Sequence, residues 1–143
     1  MTFYIPYVIE TSAGADRTLL VLLADAYREE QIEGETRVVL GLAPRLAPIK
    51  AAVLPLVKKD GMPDVARRIH EAFRSAAIPS FYDESGSIGK RYRRQDEAGT
   101  PFAITVDGQT NDDQTVTVRD RDTLAQERVA IDRLVEYLRE RVQ

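Results

Sequence analysis

Cations concentrate in one short stretch of this chain. Residues 83–101 read Asp-Glu-Ser-Gly-Ser-Ile-Gly-Lys-Arg-Tyr-Arg-Arg-Gln-Asp-Glu-Ala-Gly-Thr-Pro, with Lys90, Arg91, Arg93 and Arg94 inside five consecutive positions. On a helix, at about 100° per residue, Ile88, Tyr92 and Gln95 share one face while Arg91 and Arg94 share another. The backbone N–H groups that open such a helix after Gly86 suit a phosphate. This is chemistry for holding a polyanion such as an RNA backbone. The competing reading is a solvated basic face balanced by Asp96 and Glu97. Two look-alikes fail on spacing. Gly86-Ser87-Ile88-Gly89-Lys90 is too short for a nucleotide phosphate loop, and Arg91 stands where a hydroxyl would hold magnesium. The same residues fit the glycine loop of a KH domain only weakly, because here the loop follows a strand.

A second cluster is Arg119-Asp120-Arg121-Asp122. Alternating charge on a strand commonly protects a sheet edge. Alternatively, a guanidinium there stacks on an unpaired base or grips its edge. A third set runs through Glu10, Thr11, Ser12, Ala13, Gly14, Ala15, Asp16 and Arg17, with Ser12 and Asp16 as candidate helix caps. His70 is the single histidine and falls on the polar side of its helix, which predicts a surface residue. Tyr92 reads as core rather than as a stacking platform. With no cysteine, disulfides and thiolate zinc sites are excluded, and with one histidine neither a Ser-His-Asp site nor a metal site is expected.

The elements that must position these residues follow from hydrophobic patterning. The chain has 143 residues, 43% of them hydrophobic, which suffices for one cored domain. A formal net charge of -3 argues against coating nucleic acid through a general basic field. No apolar run approaches the roughly 20 residues of a membrane span, and no secretory signal is evident, so the chain reads as soluble. Residues 3–9 predict a strand, and a helix is expected near 14–30. Leu19, Leu20, Val21, Leu22, Leu23, Ala24 and Ala26 leave that helix almost no polar face, which implies a covering neighbour, either upstream sequence or a second subunit. Residues 28–36 read as a polar linker, and Val38 to Leu42 as a short strand. From Pro44 onward an αβ alternation begins. Strands are expected at 51–57, 78–82, 102–106 and 115–118, the last two as a hairpin across a polar turn at 107–113. Helices are expected after Pro63, at 87–98 and at the C-terminus, where Ile131, Leu134, Val135, Leu138 and Val142 form one stripe. The sum is an α/β sandwich on a mixed sheet.

The stretch from Pro44 to the C-terminus resembles the C-terminal anticodon-binding domain shared by the class II glycyl, prolyl, threonyl and histidyl synthetases. Ala47-Pro48-Ile49-Lys50, Ala52-Val53-Leu54-Pro55-Leu56, residues 86–97 and residues 115–122 look specifically like the homodimeric glycyl enzymes. The resemblance implies a mixed sheet of about five strands with three helices, preceded by a strand-helix remnant of a class II catalytic domain. It divides the chain into a remnant at 1–30, a linker at 31–43 and the anticodon-binding domain at 44–143. Residues 4–17 look like the third signature motif of the catalytic core, with Thr11 where many relatives carry proline. The resemblance then implies that Glu10, Thr11, Ser12, Ala13 and Gly14 meet the substrate glycine, and that Gly14, Ala15, Asp16 and Arg17 meet ATP.

For the anticodon, the resemblance implies Ser85 and Gly86, then Asp112 and Asp113, then Arg119 and Arg121. Lys90, Arg91 and Arg94 are expected on the RNA backbone. The expected partners are the anticodon stem-loop of glycine tRNA, the rest of the catalytic domain and a second subunit, in the cytoplasm. ATP with Mg is the expected co-substrate of the full enzyme. None is expected for this chain alone, which lacks the first two motifs and so should make no glycyl-adenylate. The alternative is a free-standing RNA-binding or polymerase-accessory-like module without catalysis.

Overall fold

A computed structural model describes residues 3–32 and 34–142. Helix α1 (Ala15–Ala26) runs without a loop into strand β1 (Tyr27–Ile32), which pairs antiparallel with β2 (Glu35–Leu40) as a hairpin. The chain then alternates: β3 (Ala51–Pro55), α2 (Met62–Ser75), β4 (Ser80–Tyr82), α3 (Ile88–Glu97), β5 (Phe102–Val106), α4 (Gly108–Asp113), β6 (Thr115–Asp120) and β7 (Gln126–Ala130). A 3-10 turn (Ile131–Arg133) leads into α5 (Leu134–Arg141).

The main sheet has the order β4-β3-β5-β6-β7. Its first three strands are parallel, and β6 and β7 are antiparallel to their neighbours. All five residues of β3 and of β5 are buried, as expected of strands covered on both faces. On one face Val53, Ile104, Val116 and Val118 pack with Ile69 and Phe73 of α2 and with Leu134 and Leu138 of α5. On the other, Ala52, Leu54 and Ala103 meet Ile88 and Tyr92 of α3. The alanines there let α3 sit close to the sheet. The mixed sheet with helices on both faces is the expected architecture.

Four local expectations change. Residues 3–9 form no strand, because among the described residues none flanks them to accept and donate the ladder bonds a strand needs. Residues 28–36, read as a polar linker, fall within the hairpin except for one position outside the described residues, and the wider 31–43 segment carries β2. Their charges are used in ion pairs rather than in solvating a flexible connection. The expected turn at 107–113 is the short helix α4, closed by a capping box. Asp107 accepts from the Thr110 N–H, and the Thr110 hydroxyl accepts from the Asp107 N–H. Strand β7 was not expected, since Gln126, Glu127 and Arg128 give it no apolar alternation.

Candidate nucleic-acid interface

The parallel strands bring three loops to one end of the sheet. The chain leaves β3 for β4 on one side and returns to β5 on the other, so α2 and α3 lie on opposite faces. In open α/β sheets the crevice beyond the carboxyl ends of the strands, where the order reverses, is where ligands bind. Three segments line it here: 56–61 after β3, 83–87 after β4 and 107–113 after β5. They are tied together. Asn111 donates to the Asp60 carbonyl at 3.0 Å, and the Leu56 N–H donates to the Val106 carbonyl at 2.7 Å. Glu84 pairs with Lys58 at 3.5 Å and accepts from the Tyr82 hydroxyl at 2.5 Å. Burial, together with that hydrogen bond, pushes Tyr82 up to about 12.

Ser85, Gly86, Asp112 and Asp113 are all exposed on this rim. Gly86 takes a left-handed conformation (φ 79°) that turns the loop into α3. Asp113 accepts from the Thr115 hydroxyl at 2.7 Å and from the Thr115 N–H at 2.9 Å. These bonds, with Gln109 and the Arg128 guanidinium, hold its carboxyl down at about 2. The rim therefore offers a fixed carboxylate at Asp113, an exposed one at Asp112 and open backbone, a surface suited to amino groups on base edges.

The basic stretch on α3 is neither a free polyanion surface nor a uniformly solvated face. Arg91 is buried and donates to the carbonyls of Pro55 at 2.6 Å, Asp83 at 3.2 Å and Leu56 at 3.2 Å. It thus satisfies carbonyls at and beyond the ends of two strands, so this cation, expected on an RNA backbone, is committed here to the protein's own backbone. Arg94 remains half exposed while donating to Asp83 and to the Ser85 carbonyl, both at 2.6 Å. Together the two arginines pin the 83–87 loop. Lys90 is exposed, and Arg93 is paired with Glu35 of the hairpin.

Arg119 and Arg121 lie elsewhere. Because β6 runs antiparallel to β5, Arg119 faces Ala103 near the start of β5. It sits four residues along β6 from Thr115, or about 13 Å from the rim at strand rise. Arg119 is 8% exposed and holds Asp96 with both terminal nitrogens. Its guanidinium also lies 4.8 Å from the Tyr92 ring centre. Arg121 is 2% exposed and donates to the carbonyls of Leu40, Gly99 and Leu42. The structure thus separates the expected anticodon residues into an exposed rim and a buried arginine pair. Arg121, expected at a base, spends its guanidinium inside the domain. At Arg119 only the mouth of a cleft of about 280 Å³, shared with Tyr92, Arg93 and Gln126, remains open.

Tyr92 packs on the sheet as expected, its hydroxyl 2.6 Å from that of Thr105. His70 is half buried rather than fully on the surface, with Nδ1 2.9 Å from the Ser80 hydroxyl. Sequence reasoning missed Arg37 and gave Asp96 only a balancing charge. Arg37 is buried and donates through Nε to Asp96 at 2.8 Å. The available signal was a single cation beside Val38 and Val39 in an otherwise strand-like run.

Glu10, Thr11, Ser12, Ala13, Gly14, Ala15, Asp16 and Arg17 are all exposed around the start of α1. Gly14 is the N-cap, and no side chain caps the helix, so neither Ser12 nor Asp16 serves as one. Helix α1 has no buried residue, and Leu20 and Val21 are 68% and 65% exposed. Among the described residues, no helix is long and apolar enough to cross a membrane.

A mixed sheet with helices on both faces and a tied rim at its switch point defines a small α/β domain of the kind that presents loops to a ligand. The family model described as the anticodon binding domain matches residues 50–141, and the chain belongs to that family. Over nearly its whole length it is also similar to glycine–tRNA ligases. It is 56% identical to that of Rhodopirellula baltica across 97% of this chain. It is 57% identical to that of Methanocaldococcus jannaschii across 96%, and 54% identical to that of Caldanaerobacter subterraneus across 97%. The chain spans only 27%, 23% and 30% of those three relatives.

Proposed function

We propose that this chain is the C-terminal part of a glycine–tRNA ligase and reads the anticodon of glycine tRNA while the full enzyme performs ATP-dependent aminoacylation. One observation carries the reading. The family model covers residues 50–141, whereas the likeness to glycine–tRNA ligases covers 97% of the chain and so extends through α1 and the segment before it. A free-standing binding module has no use for that segment, nor for an apolar helix that buries no residue.

On this reading the base-contacting surface is the rim: Ser85, Gly86, Asp112 and Asp113, with Lys90 and Arg94 toward the RNA backbone. Glycine codons begin with a pair of guanines, so the anticodon carries a pair of cytosines. A carboxylate accepts from the cytosine N4 amino group. An acidic rim that would repel a phosphate therefore fits base edges. Arg119 contributes through the cleft beside Tyr92 or by holding α3 in place.

ATP with Mg, glycine, a second subunit and a cytoplasmic setting belong to the full enzyme. At the start of α1, the Arg17 guanidinium and the N–H groups following Gly14 have the chemistry to receive a phosphate. ATP supplies the activation of the glycine carboxylate; Glu10 would hold the glycine ammonium and Arg17 would offset phosphate charge.

The direct test is a footprint. Amide NMR shifts on adding the anticodon stem-loop of glycine tRNA should cluster at residues 83–90 and 107–113. Shifts confined to α5 and β7 would contradict the assignment of the rim.

A further inference from the structure

Helix α1 and the hairpin form one arm. The Tyr27 N–H caps α1 by donating to the Leu23 carbonyl, and the Gly41 N–H returns to the Ala26 carbonyl at 2.7 Å. Any rotation of the hairpin therefore carries α1 and the residues ahead of it. Since α1 buries nothing, the hairpin alone sets the angle of this arm. Its apolar anchorage is small: within β1, β2 and the turn to Ala43, Val39 and Leu42 are the buried hydrophobic residues.

The remaining hold is ionic and buried. Arg37 donates to Asp96 of α3 at 2.8 Å, to the Arg121 carbonyl at 2.6 Å and to Glu30 at 2.6 Å. Asp96, 2% exposed, also receives Arg119 of β6. Arg121 donates back to the carbonyls of Leu40 and Leu42 at the end of the hairpin. Arg28 pairs with Asp122, and Arg93 with Glu35. Buried ion pairs stabilise little once desolvation is counted, but they are directional and admit one geometry. A greasy contact would let the arm slide, whereas this network fixes it.

We infer that Asp96, bridging Arg37 of the hairpin to Arg119 of the sheet, is a positioning residue that holds the α1 arm at one angle to the anticodon-reading rim. The inference rests on the ligase reading above and adds to it a coupling between the two ends of the chain. RNA held at the rim must present its distant acceptor end to residues carried by the arm. A displacement of about 1 Å at the reacting centre can cost on the order of a hundredfold in rate. The network touches neither the rim nor the residues ahead of α1, so it acts through orientation.

The test uses the full-length ligase that ends in this chain, with Arg37→Met and Asp96→Asn. Arg37→Met removes the hairpin's bridge to Asp96 yet leaves Asp96 paired with Arg119, so it remains informative if Asp96→Asn does not fold. The expected result for Arg37→Met is glycine-dependent pyrophosphate exchange and tRNA KM within about twofold of the unsubstituted enzyme, with kcat for tRNA charging down at least about tenfold. Arg37→Lys should restore part of that kcat. An unchanged charging kcat overturns the inference, as does a parallel fall in exchange, which marks a merely structural residue, or a rise in tRNA KM alone, which marks an RNA contact. Absence of charging by the unsubstituted enzyme would instead remove the ligase reading itself.

Discussion

Arg119 grips Asp96 with two nearly equal bonds, Nη1 to Oδ1 at 2.9 Å and Nη2 to Oδ2 at 3.0 Å. This fork joins the end of β6 to the last turn of α3 across the inner face of the sheet. It turns a residue expected to touch a base into one that first holds the domain together. Removing one partner of such a buried pair leaves the other charge desolvated. Asp96→Ala, which leaves buried Arg119 without a carboxylate and Arg37 with Glu30 alone, should cost about 3–5 kcal/mol in urea unfolding. Arg119→Ala should cost less, because Asp96 keeps Arg37. Equal and small losses for both would show that the pair is not buried as described.

Gly99 closes α3 at φ 79°, and a Cβ there would lie 3.1 Å from the Leu40 carbonyl oxygen. Gly99→Ala therefore strains the backbone and pushes against the hairpin. The expected loss is at least about 1 kcal/mol, with faster amide exchange in β2. Unchanged exchange in β2 would mean that the hairpin does not rest on this corner.

The Asp107 cap organises α4 and also accepts from Arg128 at 2.6 Å. Asp107→Ala should cost about 1 kcal/mol through removal of the cap and loosen the helix that carries Asp112 and Asp113. Asp107→Asn should retain most of that stability. If the alanine variant unfolds at the same urea concentration as the parent, the cap is idle.

Asp113 has its carboxyl lowered from 3.8 to about 2 in the folded chain by its bonds to Thr115, Gln109 and Arg128. Its contribution is therefore complete above the unfolded value of about 4 and disappears as pH falls toward 2. The Thr115 amide should lose exchange protection across that window, and Asp113→Asn should remove this pH dependence. A transition at Thr115 centred near pH 4 would contradict the lowered value.

The parts of this fold that were legible in the sequence are those in which apolar pattern and burial agree. Ala51 to Pro55 and Phe102 to Val106 read as buried strands, and Val65, Ile69 and Phe73 gave α2 its face. Val38 to Leu42 signalled part of β2, but β1 was hidden because Glu29, Glu30 and Glu35 read as solvated, and nothing local says that Arg37 is paired with a residue 59 positions away. The same blindness placed Arg91 and Arg121 on the surface. Both spend their donors on backbone carbonyls that only the tertiary fold brings near. Residues 3–9 fail in the opposite sense. Their strand pattern is sound, but a strand also needs a neighbour. The rim residues Ser85, Gly86, Asp112 and Asp113 came from family likeness, and the sheet topology accounts for why they share one end.

The most direct measurement compares the affinity of this chain for glycine tRNA and for the same tRNA with its anticodon replaced, at one stated salt concentration. Reading of base edges by the rim predicts that replacement weakens binding by about 1–3 kcal/mol for each cytosine the rim no longer holds, by analogy with base recognition in DNA. Equal affinity for the two RNAs would contradict anticodon reading by this domain.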